Sequence, residues 1–356
     1  MASNKGLRTA KAGKKDEFYT QLTDIEKEIQ HYRAFFKDKV VLCNCDDPRI
    51  SNFFRYFALN FKWLGLKKLI TTCYKNQNVD LFSENTAERA VYLEYDGTTI
   101  NNTLPSIDEI GIKELKGDGD FRSAECIELL KQADVVVTNP PFSLFREYVS
   151  QLIKYEKKFI ILGNINNLAT KELAPYLTNN QLWLGVSIHS GDRKFLVPDD
   201  YPLKASTCGI DEDGNRFIKV KSVRWITNVD YEARHEDLPL YRSYTPEAYP
   251  SFGNFKNCIV VTDTVDIPMD YYGLMAVPIT FLDKYNPSQF EIVSITCDTN
   301  WLKANGVERI GEEVIDKARK QGNKSHITAN MVSLYYYKPD GTIKFVYPML
   351  IIKRKI

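Results

Sequence analysis

Four consecutive residues carry the strongest chemical signal in the sequence. Asn139-Pro140-Pro141-Phe142 follows directly on the apolar run Asp134-Val135-Val136-Val137-Thr138. In an open α/β sheet, ligands gather at the carboxyl ends of strands, so a loop there is well placed for catalysis. Asn before Pro is biased to an extended conformation. Two successive prolines fix two φ angles and donate no amides. The result is a stiff loop that offers carbonyl oxygens. Such an array suits an exocyclic amine on a nucleobase, whose lone pair is delocalised into the ring. Acceptors on its two N–H groups, the Asn139 side-chain oxygen and the Pro140 carbonyl, favour a pyramidal nitrogen. They also stabilise the positive charge that grows there during methyl transfer. Phe142 supplies a flat face for a base swung out of a duplex. The plainer alternative is a Pro-rich loop with Asn as turn former, and for a bare Asn-Pro-Pro it is the better explanation. The apolar strand before it, the aromatic fourth residue and the helix after it favour the methyl-transfer chemistry.

That chemistry needs a sulfonium donor, and several residues suit one. Phe18-Tyr19-Thr20 opens a helix, where a Thr hydroxyl can bind a carboxylate. Thr20 as a simple N-cap is the alternative. Asn44, Asp46, Asp47 and Pro48 follow the first strand, and the two carboxylates can hold an ammonium group or a ribose hydroxyl. An ordinary Asp-rich helix start competes with this. The segment has no Gly, so a G-x-G-x-x-G dinucleotide site is not supported. Glu94 and Asp96, ending the run Val91 to Tyr95, are candidate ribose ligands, against a hairpin turn at Asp96-Gly97. Asp120 can accept from an adenine amine while Phe121 packs on the ring, against a plain turn at Asp118-Gly119.

The elements that must position these residues show in the hydrophobic periodicity. Residues 20–36 carry apolar positions at helical spacing, Val40 to Cys43 reads as a buried strand, and Ile50 to Trp63 reads as a helix. Strands follow at Leu69 to Cys73, Ala90 to Tyr95, Asp134 to Thr138 and Phe159 to Leu162. Helices run from a cap at Ser123 to about Lys131 and from Leu144 to Ile153. Strands alternating with helices predict a parallel α/β sheet. After about residue 215 strand-like runs dominate: Ile218 to Ile226, Ile259 to Asp263, Met275 to Leu282 and Ile292 to Cys297. A helix over Glu308 to Lys320 interrupts them, and a hairpin, Met331 to Tyr337 and Thr342 to Lys353, ends the chain. We expect a basic arm at 1–15, a catalytic domain at 16–230 and a target-recognition region at 231–356.

Composition sets the outer bounds. With 47 Lys+Arg against 46 Asp+Glu in 356 residues, the formal charge is +1, which on its face argues against a polyanion partner. The first fifteen residues, however, hold Lys5, Arg8, Lys11, Lys14 and Lys15 and no acid. Removing those five leaves 42 basic against 46 acidic residues, a net of −4. The arm is either a phosphate-tracking device or a solubilising terminus. Seven Cys without a Cys-x-x-Cys pair, and four scattered His, favour neither a disulfide scaffold nor a protein-held metal. No run approaches the roughly 18 apolar residues of a membrane span, and Met1 to Lys15 lacks the apolar core of a secretory signal.

Taken together, the residues resemble the EcoRI-type adenine-specific DNA methyltransferases over nearly the whole chain. The resemblance lies in residues 16–21, 43–48 with 51–54, 116–123, 138–145, 224–228 and 278–287. The pairing of 116–123 with 138–145 is its specific part, since many amino-methyltransferases share the tetrad. The resemblance implies the S-adenosylmethionine-dependent Rossmann-like fold, with seven mostly parallel strands, the last antiparallel. It implies methyl transfer from S-adenosylmethionine to adenine N6 in duplex DNA. Phe18-Tyr19-Thr20 matches the donor motif, Asp120-Phe121 the motif for the donor's adenine, and Asn139 to Phe142 the catalytic tetrad. It further implies a restriction-modification or orphan enzyme, in a bacterial or virus-infected cytoplasm, with an endonuclease as one conceivable partner. Cytosine N4 transfer, an RNA or protein amino-methyltransferase, and a non-catalytic DNA-binding module remain alternatives on the residues alone.

Overall fold

The computed structural model describes residues 20–74, 89–98, 105–189, 191–197, 203, 206–328, 331–346 and 348–356. The chain divides into two compact units, one of residues 1–164 and 184–231, the other of residues 165–183 and 232–356.

The first unit is built on strands β1 (Val40–Asn44), β2 (Lys68–Cys73), β3 (Val91–Tyr95), β4 (Lys113–Glu114), β5 (Val135–Thr138) and β6 (Lys158–Asn164). It later adds β7 (Trp183–Leu184), β8 (Arg193–Leu196), β9 (Cys208–Ile210), β10 (Arg216–Val220) and β11 (Val223–Thr227). The sheet order is β4-β3-β2-β1-β5-β6-β11-β7. Its centre, β2-β1-β5-β6, is parallel. Every residue of β1 and β5 is buried, as expected for strands covered on both faces. Antiparallel strands flank this centre: β3 on β2, β4 on β3, and β11 on β6. The sheet therefore has eight strands rather than the expected seven, and β3 runs opposite to the direction simple alternation predicts.

Helices bring the loops to the carboxyl ends of the parallel strands. Asn52–Leu59 follows β1, and Ser51 caps it by accepting from the Phe54 amide at 3.3 Å. Ser123 caps Ala124–Gln132, accepting from the Cys126 amide at 3.2 Å. Phe145–Lys154 follows β5 and buries Phe145, Tyr148, Val149 and Leu152. The expected long helix at 50–63 breaks at Asn60 into two. The expected strand at 218–226 is in fact two strands in different sheets, separated at Ser222, whose φ is +61°. A second, three-stranded sheet, β8-β10-β9, completes this unit.

The second unit has its own sheet. Strands β12 (Ser251–Phe252), β13 (Phe255–Val260), β14 (Leu274–Pro278), β15 (Phe290–Ile295) and β18 (Met349–Arg354) lie in the order β12-β13-β14-β18-β15. Strands β16 (Tyr335–Tyr337) and β17 (Ile343–Phe345) form the expected hairpin, closed by Lys338 N–H on Thr342 O at 2.9 Å. The second arm of that hairpin stops at Phe345, and Met349–Arg354 crosses to the larger sheet. Residues 165–183 cluster with this unit. Helix Ala174–Thr178 packs on β15, Cys297 reaches the Ala169 carbonyl, and the Arg234 guanidinium lies 3.7 Å from the Trp183 ring centroid. Among the described residues, no helix is long and apolar enough to cross a membrane.

Candidate active site

Strands β1 and β5 are parallel neighbours with Leu42 opposite Val136, which brings Asn44 and Thr138 to the same level. The Thr138 hydroxyl donates to the Asn44 carbonyl. The Tyr148 phenol, from the helix after the tetrad, donates to the Asn44 side-chain oxygen. Tyr148 is buried, and burial holds its phenol well above the ordinary pKa of 10.0, so it stays a neutral donor. Phe121 packs edge-on against the Tyr148 ring at 5.0 Å, and its carbonyl accepts from Gln151 at 2.8 Å. Tyr148 thus ties the loop after β1, the 118–121 loop and the helix after the tetrad into one constellation.

Two backbone features shape this constellation. Gly119 has a φ of +80°, and a Cβ there would lie 2.4 Å from the Cys73 carbonyl at the end of β2. Only glycine lets the 118–121 loop cross that strand end so closely. Cys45 has a φ of +87°, a conformation that side chains rarely adopt. The chain turns after β1 through a cysteine where a Gly-rich loop would use glycine.

The tetrad leaves the end of β5 with Asn139 and Pro140 buried and Phe142 half-buried. The Pro141 carbonyl accepts from the Leu144 amide at 3.0 Å and leads into the helix. Phe142 meets Phe195 of β8 edge to face, with centroids 6.2 Å apart.

Thr20 lies beside the loop after β1, because its carbonyl accepts from Asn52 at 2.8 Å. It is not the helix cap, since Gln21 holds that position. The Thr20 hydroxyl is buried and has no hydrogen-bond partner among the described residues. An orphaned hydroxyl of this kind fits a polar group of a bound donor. Asp46 accepts from Ser51 at 3.4 Å in the same loop, and Pro48 is buried in it.

Three expectations need correction. Glu94 does not reach this end of the sheet. It stands opposite Ile70, on a strand running the other way, and pairs with Lys68 at 3.1 Å and Lys113 at 2.7 Å. Asp47 is buried, but its carboxylate is gripped by the Arg49 guanidinium at 2.7–3.1 Å and by the Arg49 amide at 2.9 Å. It braces the loop rather than offering an open carboxylate. Asp120 is likewise held by Arg122 at 2.5 and 2.8 Å, and that guanidinium keeps its carboxyl below the usual range. Phe18, Tyr19, Lys5, Arg8, Lys11, Lys14 and Lys15 lie outside the described residues. Sequence reasoning missed Tyr148, Arg49, Arg122 and Phe195. The signal for Tyr148 was a hydroxyl on an otherwise apolar helix stripe.

Comparison with known proteins adds the lineage. The family described as "Adenine-specific methyltransferase EcoRI" matches residues 6–349. The chain is 50% identical over 309 residues to the Type II methyltransferase M.EcoRI of Escherichia coli, covering 86% of this chain and 94% of that one. It is 37% identical over 314 residues to Type II methyltransferase M.MgeORF184P of Mycoplasma genitalium, covering 85% and 91% of the two chains. Type II methyltransferase M.MpnI of Mycoplasma pneumoniae is also 37% identical, over 310 residues, with 84% and 90% covered. No solved structure matches significantly. With its tetrad after β5 and its family match spanning almost the entire length, the chain belongs to the EcoRI family of adenine-specific methyltransferases.

Proposed function

We propose that this protein transfers a methyl group to the N6 amine of a flipped adenine in duplex DNA, with S-adenosylmethionine as donor. The observation that carries this is the convergence of Asn44, Phe121, Tyr148 and the tetrad at the carboxyl ends of β1 and β5. The donor supplies an electrophilic methyl group on a sulfonium. Thr20, Asn44, Asp46 and Pro48 line the loop that would hold it, with Phe121 toward its adenine. Phe18 and Tyr19 extend that motif.

On the substrate side, the Asn139 side-chain oxygen and the Pro140 carbonyl accept the two N–H groups of the target amine. Polarising both bonds raises lone-pair density on nitrogen and stabilises the cation as the N–C bond forms. The surplus proton then leaves to water. Pro141 fixes the loop, and Phe142 stacks the flipped base. The basic arm, Lys5 to Lys15, tracks phosphates. Residues 232–356 read the target. An open hollow of about 390 Å³ in that unit places Thr262, Tyr336 and Lys344 among apolar walls, a mix that suits base edges. An endonuclease of the same specificity is the natural companion of such an enzyme in a cytoplasm.

The decisive variant is Asn139→Ala. It should lower methyl transfer by a factor on the order of 10² to 10³ while calorimetry still detects S-adenosylmethionine binding. Wild-type turnover in that variant would remove the tetrad from the mechanism.

A further inference from the structure

The sheet β8-β10-β9 has two unlike faces. Side chains alternate along a strand. Phe195, Ile218 and Val220 share the face that is buried in the core of the first unit, and there Phe195 meets Phe142. Lys194, Phe217 and Lys219 share the other face. Lys194 and Lys219 stand directly opposite each other across the strands. Like charges so placed repel and destabilise the pair. Both ammonium groups flank one aromatic ring, 4.8 and 5.8 Å from the Phe217 centroid. The ring has room because its partner on β9 is Gly209, where a Cβ would lie 2.8 Å away. Lys194 holds Asp211 at 2.6 Å, and the acidic turn that begins there bounds the surface on one side. Lys219 is exposed and has no carboxylate partner among the described residues.

We infer that this face holds the backbone of the substrate DNA beside the flipped base. A phosphodiester sits between the Lys194 and Lys219 ammonium groups, and the adjoining nucleoside lies on Phe217. Asp211 already answers Lys194, so the anion there chiefly neutralises Lys219. A ring flanked by cations binds any nucleotide through its π-face and phosphate, without reading sequence. The opposite face meets the tetrad's aromatic through Phe195, so this surface lies one sheet thickness from Phe142. This inference rests on DNA being the substrate.

The test is DNA affinity measured over a range of salt for wild type, Lys219→Gln, Phe217→Leu and Lys131→Gln. Lys131 lies in the last turn of the helix that leads to the amino end of β5, so Lys131→Gln removes one charge at the opposite end of that strand from the tetrad. Lys219→Gln should weaken binding and reduce the slope of log affinity against log salt by about one. Phe217→Leu should weaken binding about fivefold or more with the slope kept. Lys131→Gln should change neither. A wild-type slope in Lys219→Gln, or an equal drop in Lys131→Gln, overturns the phosphate contact. Unchanged affinity in Phe217→Leu overturns the stacking. Calorimetric donor binding by each variant reports intact folding. Wild-type adenine methylation, scored in parallel, separates failure of this surface from failure of the proposed function.

Discussion

At the scale of residues, Tyr148 joins the loop after β1 to the 118–121 loop. Its phenol satisfies Asn44, and its ring supports Phe121. Tyr148→Phe leaves a buried amide oxygen without its donor, which should cost about 1–3 kcal/mol in denaturant unfolding. On the proposal that the loop after β1 holds the donor, S-adenosylmethionine should also bind about tenfold more weakly by calorimetry, a loss of about 1.4 kcal/mol. The Asp120–Arg122 pair gives a pH prediction. Its carboxyl is held below the ordinary 3.8, so its stabilisation is complete above that value and is lost as pH falls through the lowered one. Unfolding midpoints of wild type and Arg122→Gln should therefore differ by a constant amount from pH 5 to 8 and converge only under more acidic conditions. The tetrad was legible in the sequence because two prolines and a preceding apolar strand fix its conformation and place. Tyr148 was not, because helical periodicity says which face is buried but not which atom a hydroxyl will meet. For Asp47 and Asp120 the sequence showed carboxylates, and only the fold shows that the arginine two residues on takes each of them.

At the scale of elements, the parallel centre was readable from short, wholly apolar runs such as Val135 to Val137. Strand direction was not. An apolar alternation like Val91 to Tyr95 fits either direction, and the choice was made by the chain's return across β2. That reversal is what carries Glu94 away from the carboxyl ends of β1 and β5. The run from Ile218 to Ile226 failed for a related reason: a single left-handed residue, Ser222, separates two sheets without any Gly or Pro to mark it. Gly119 tests the importance of a loop crossing. Gly119→Ala combines an unfavourable φ with a backbone clash at Cys73. It should destabilise the fold by more than about 1 kcal/mol and weaken donor binding, as read by thermal unfolding with and without S-adenosylmethionine.

At the scale of the whole molecule, the net charge of +1 conceals an arm of five basic residues on a body of net −4. Deleting residues 1–13 removes Lys5, Arg8 and Lys11 and should lower the salt slope of DNA binding by up to about three. An unchanged slope would assign the arm to solubility. The turn to strand-like runs after about residue 215 shows in the sequence. The excursion of 165–183 into the second unit does not, because a short helix carries no mark of the sheet it will cover. Mass spectrometry of nucleosides from duplex DNA incubated with the protein and S-adenosylmethionine shows whether this chain methylates adenine N6. N6-methyladenine is the expected product. N4-methylcytosine, or no methylated nucleoside from a protein that binds the donor, would contradict adenine N6 methylation.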